Sequence, residues 1–160
     1  MNASPVLKAM LGPYFKEGHR LVQPGLTEIE LPEDNAEAVE TVFNIIHGRN
    51  DRVRETLDPD RLLQVAIAVD KYDCLVPLMF VMNTWLNCVS ISNPVQMWAL
   101  VMVAVVLRKQ ETFAEATSAL VLNYSGPYLD LTNMYVALPD SITQLRIAGL
   151  SGSVFCFVGN

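Results

Sequence analysis

Eleven consecutive apolar residues, 97–107, constrain this chain more than any other feature. Asn93-Pro94 just ahead of them supplies a capping side chain and a proline for the first helical position. The run therefore reads as a helix from Val95 to about Leu107. A helix that is apolar on nearly every side has no face to give to water, so it belongs in a core or at a subunit interface. It is too short for a membrane span, which takes roughly 20 residues.

The rest of the composition agrees. The chain has 160 residues, room for one ordinary domain, and 51% of them are hydrophobic, so a sizeable core is within reach. Charged residues make up 18% and are unevenly spread. Residues 1–73 carry 8 basic and 13 acidic side chains, whereas residues 74–160 carry 3 and 4. The first part reads as a solvated surface, and the second must bury much of its own. The net charge of −6 leaves no basic stripe to neutralise phosphates, which excludes direct nucleic-acid binding as an expectation. No basic amphipathic helix points to a membrane surface.

Cys74, Cys88 and Cys156 are odd in number and form no CxxC pair. A disulfide framework is not expected, and a reduced intracellular setting is, whether cytoplasm or nucleus. No charged stretch followed by an apolar one opens the sequence, so no secretory signal is expected, and the N-x-S triplets at Asn2 and Asn123 stay idle.

Along the chain, Ser4-Pro5 begins a short helix that Gly12-Pro13 stops, and Gly18 and Pro24-Gly25 mark loop. Residues 27–31 alternate polar and apolar, the pattern of a strand, and a strand needs a partner for its backbone groups. Asp34 with Glu37 reads as a capping pair for a helix whose inner face is Ala36, Val39, Val42, Phe43 and Ile46, ended by Gly48. Asp58-Pro59 opens the next helix, with Leu62, Leu63, Ala66, Ile67 and Val69 inward, to about Tyr72. After a turn at Asp73-Cys74, Pro77 opens another, on which Leu78, Met82, Trp85 and Val89 stack. Beyond the central apolar helix, Thr112 with Glu115 caps one more, to about Tyr124. A short helix is expected after Pro139, then a tail in which residues 154–158 form at most a short strand. The fold class is mainly α with one short strand: a stack of helical hairpins followed by further helices.

Groups suited to catalysis are scarce. No GxGxxG or GxxxxGK[ST] is present, and Gly149-Leu-Ser-Gly-Ser153 fails the GxSxG pattern at its last position. His19 lies in a polar stretch, and His47 stands where it would face terminal helix carbonyls. The thiols and imidazoles lack ligand spacing. Asp70 and Asp73 flank a helix end, where a solvated terminus is the simpler reading than an acid–base dyad. No catalytic residue, cofactor site or metal site is expected.

Several segments, taken in order, resemble the BTB/POZ domain of filamentous-fungal proteins. They are Ser4-Pro-Val-Leu-Lys-Ala-Met-Leu11, Phe15-Lys-Glu-Gly18 and Glu28-Ile-Glu-Leu-Pro-Glu-Asp34. The likeness continues through Ile45-Ile-His-Gly-Arg49, Ala66-Ile-Ala-Val-Asp-Lys-Tyr-Asp-Cys74 and Trp85-Leu86. It covers residues 4–89, so residues 1–90 are read as a partial domain of this type, 91–150 as a helical extension and 151–160 as a tail. The resemblance implies a protein–protein interaction module, which self-associates or recruits a cullin scaffold as a ubiquitin-ligase adaptor. In such adaptors a hydrophobic-x-Glu triplet contacts the cullin, and Phe15-Lys16-Glu17 stands at that place. The position of Tyr72 lies near the same docking face in that family.

The family also has a strand, a hairpin and a helix ahead of the segment at Ser4, where this sequence has three residues. The expected consequence is an open strand edge and an uncovered apolar face, and hence a less stable chain or one that needs a partner. Two other readings stand beside the adaptor: a degenerate remnant without a working interface, which would be poorly soluble, and a small helical enzyme, which would need convergent titratable groups in a pocket.

Overall fold

A computed structural model describes residues 3–21, 25, 28–88, 91 and 93–134. Among these residues the chain forms α1 (Pro5–Met10), α2 (Lys16–Leu21), α3 (Ala36–Ile46), α4 (Pro59–Lys71), α5 (Leu75–Cys88), α6 (Pro94–Val106), α7 (Gln110–Asn123) and α8 (Tyr128–Met134), with a 3-10 turn at Asn50–Arg52. The protein is mainly helical. The expected last helix and tail lie outside the described residues.

Helix starts follow local chemistry. Ser4, Asp58 and Asn93 cap α1, α4 and α6 by accepting from the backbone N–H of Leu7, Arg61 and Gln96, at 2.9, 3.1 and 2.9 Å. Each is followed by proline at a position where no N–H partner exists to be lost.

Helix ends share one device. After α3, α4 and α6 the chain turns through a residue of positive φ: Gly48 at 71°, Asp73 at 50° and Arg108 at 56°. The next N–H then reaches back to a carbonyl of the last turn, as in Cys74 to Val69 at 2.9 Å and Lys109 to Ala104 at 2.8 Å. Two sequence expectations change for this reason. The turn after α4 delivers the chain straight into α5 at Leu75, so Pro77 lies within the first turn rather than opening the helix. The turn after α6 makes Lys109 the entry to α7, and Thr112 falls inside it.

The apolar run forms the centre. Residues 98–104 are all buried in α6, which packs against α4, α7 and α8. α4 is sandwiched in turn between α3 and α6, and buries Leu62, Leu63, Val65, Ala66, Ala68 and Val69. One continuous core therefore runs from Ala38 to Leu131, through α4 and α6. On α3 the inner face centres on Ala38 and Val42, both 2% exposed, while Ala36 is exposed. On α5, Leu78, Met82 and Trp85 point inward, while Val89, expected to stack with them, lies outside the described residues.

Residues 28–31 form no strand, and Thr27 lies outside the described residues. Alternation alone does not hold a strand when no ladder partner is at hand, and none is present among the described residues.

Gly18 is a further departure. It sits buried inside α2, not in a loop. A Cβ built on it would run into the backbone of Gly12 and the Leu11 carbonyl, so only glycine lets α2 pack this closely on the turn after α1. Gly18→Ala is expected to cost about 2 kcal/mol, the usual penalty of overpacking. Urea unfolding followed by far-UV circular dichroism reads it, and an unchanged midpoint would show that the close approach is dispensable.

Candidate protein-interaction surface

The hairpin of α1 and α2 carries most of the residues that the sequence singles out. Phe15 is 51% exposed at the entry to α2, where its carbonyl accepts from His19 N–H at 3.1 Å. Lys16 and Glu17 follow in the first turn of α2, so the triplet is presented together. Tyr14 beside it is 92% exposed, and Val6, Leu11 and Leu21 on the same hairpin are also exposed. An exposed aromatic pair followed directly by charged residues suits an interface anchor. Sequence reading missed Tyr14, although its place between Gly12-Pro13 and Phe15 marks it as a turn residue.

Tyr72 is placed otherwise. It is 3% exposed, so its ring is no part of an open docking face. Its hydroxyl donates to Asp34 Oδ2 at 2.6 Å, and Lys71 Nζ donates to Asp34 Oδ1 at 2.9 Å. The Tyr72 carbonyl accepts from Ser4 Oγ at 2.5 Å and from Cys74 Sγ at 3.4 Å. Tyr72 thus ties three segments together: the start of α1, the turn before α3 and the end of α4. It meets the exposed triplet only indirectly, by holding the α1 end of the hairpin that carries it.

Asp34 has consequently left the capping role expected of it. Asn35 caps α3 instead and accepts from Ala38 N–H at 3.0 Å. Burial raises the Asp34 carboxyl, but the Tyr72 and Lys71 hydrogen bonds and the Lys71 charge outweigh it and hold the group below the ordinary carboxylate range. Burial likewise pushes the Tyr72 phenol well up, helped by the bond to Asp34 and its charge. The Cys74 thiol is raised chiefly by burial, so it is not poised as a nucleophile.

Asp70 and Asp73 are both exposed. His47 follows α3 and its backbone N–H donates to the Phe43 carbonyl at 2.9 Å. Among the described residues no cluster of His, Cys, Asp and Glu is arranged to hold a metal ion, and no helix is long and apolar enough to cross a membrane.

Comparison with known protein families, curated proteins and solved structures finds no match to this chain.

A second exposed region was not singled out from the sequence. Val76 and Phe80 on α5 are 84% and 79% exposed, with Met79 between them. Their signal was available: they lie on the side of the helix opposite Leu78, Met82 and Trp85, so α5 is apolar on two faces.

Proposed function

We propose that this chain is a non-enzymatic protein–protein interaction module of BTB/POZ type that docks a cullin scaffold, as a ubiquitin-ligase adaptor does, through the α1–α2 hairpin. The observation that carries the reading is the exposure of Phe15 next to Lys16 and Glu17 at the start of α2. An aromatic side chain held on a helix entry fills a partner's pocket at little entropic cost, and a neighbouring carboxylate fixes its register. In this reading Tyr72 acts from beneath the surface, by anchoring α1 through Ser4. The resemblance of residues 4–89 to the fungal domains supplies the partner class.

The test is recovery of the protein on an immobilised cullin amino-terminal domain. Phe15→Ala and Glu17→Ala are each expected to lower affinity by about tenfold or more while leaving helical content unchanged. Recovery equal to the parent chain removes the cullin from the proposal. Self-association then becomes the remaining form of it, read by sedimentation of the same variants.

A further inference from the structure

A different surface suits a different kind of partner. On α5, Val76, Met79, Phe80, Asn83 and Asn87 are spaced by three and four residues, so they share one face of the helix. That face is apolar at the amino-terminal end of α5 and polar at the other. Leu78, Met82 and Trp85 face the core, whereas Val76 and Phe80 are left exposed among the described residues.

The polar end opens into a groove of about 560 Å3 between α5 and the turn joining α6 to α7, lined by Asn83, Asn87, Arg108, Lys109, Glu111 and Thr112 among others. Lys109 Nζ donates to Asn83 Oδ1 at 2.9 Å, which holds the ammonium at the groove. Arg108 is exposed and has no ion pair among the described residues. No side chain caps α7, so the first N–H groups of that helix add partial positive charge to the same spot. Glu111 is the single opposing carboxylate in the lining.

Charge decides the occupant. The chain carries −6 overall, and Arg108 and Lys109 are the bases among the described residues beyond Lys71. An acidic partner is repelled by most of this surface and attracted here. We infer that the α5 face and the adjoining groove bind an acidic amphipathic helix of another protein, lying along α5 with its apolar residues on Val76, Met79 and Phe80 and its carboxylates at Arg108 and Lys109. The mode is helix-in-groove recognition with a defined direction. It does not depend on the BTB/POZ reading and uses none of the same residues.

The probe is a fluorescently labelled helical peptide with leucines at three- and four-residue spacing and glutamates toward one end, titrated by anisotropy. Its control carries lysine at every glutamate. The glutamate peptide is expected to bind saturably and the lysine peptide at least about tenfold more weakly. Phe80→Gln and Arg108→Glu should each weaken the glutamate peptide by about tenfold, and added salt should weaken it further. Both side chains are exposed, so circular dichroism should match the parent. Equal binding of the two peptides, no binding, or indifference to Arg108→Glu would overturn the proposal. So would a concentration-dependent dimer abolished by Phe80→Gln, since the occupant would then be a second copy of this chain.

Discussion

Trp85→Ala is expected to destabilise the protein by about 4 kcal/mol, in the range found when a buried aromatic ring is truncated to a methyl group. Trp85 is 1% exposed and faces the core from α5. Its indole Nε1 donates to the Arg54 carbonyl at 3.0 Å, across the loop that leads into α4. The substitution therefore empties a large volume and removes the indole–carbonyl hydrogen bond in one step. Against a typical domain stability of about 5–15 kcal/mol the loss is a large fraction of the total. Trp85→Phe separates the two effects: it keeps most of the ring and should cost about 1–2 kcal/mol. Urea unfolding measures both, with Trp98, the other of the two tryptophans, as the fluorescent reporter. A cost under about 1 kcal/mol for the alanine variant would mean that α5 is not held by this side chain.

The next largest effect is expected at Asp34. Asp34→Ala removes two hydrogen bonds, one of them to an ammonium, and leaves the hydroxyl of a tyrosine that is 3% exposed without its acceptor. The expected cost is about 3 kcal/mol. Its pH dependence has a definite sign. The Asp34 carboxyl is held below its unfolded value, so its contribution is present above about pH 4 and is lost as pH falls through the lower folded value. The Tyr72 phenol is held above its unfolded value, so its contribution is present below about pH 10 and is lost as pH rises beyond that. Unfolding midpoints of parent and variant should therefore differ most between these limits and converge on the acid side. A difference that stays constant into acid would show that the carboxylate charge is irrelevant.

Local and non-local physics divide the legible from the illegible here. Ser4-Pro5, Asp58-Pro59 and Asn93-Pro94 could be read because a cap and a following proline act within one turn, and the core helix could be read because eleven apolar residues leave no wet side. Asp34 and Asn35 are adjacent and equally able to cap. What separates them is the hydrogen bonding of Asp34 to Lys71 and Tyr72, distant in sequence. Gly18 reads as a breaker on its own, and its meaning depends on the backbone of Gly12 lying against it. Residues 28–31 have the alternation of a strand, but a ladder is a property of two segments. For the proposed docking surface, the Phe15 to Glu17 triplet stands out only through the family resemblance, since composition and spacing do not separate it from other loop residues. The burial of Tyr72 could not be read, because an aromatic residue with a polar tip at a helix end is equally suited to either side of the surface.

The central helix also sets where this sequence is free to vary. From Trp98 to Ala104 each side chain meets a neighbouring helix, so every exchange there must preserve both volume and apolarity. Other elements have a solvent face on which substitutions cost little; α6 has none along that stretch. Drift in this protein is consequently channelled to the outer faces of α1, α2, α5 and α7. Those outer faces include both surfaces proposed to meet partners, so partner choice can be retuned without disturbing the core that presents it.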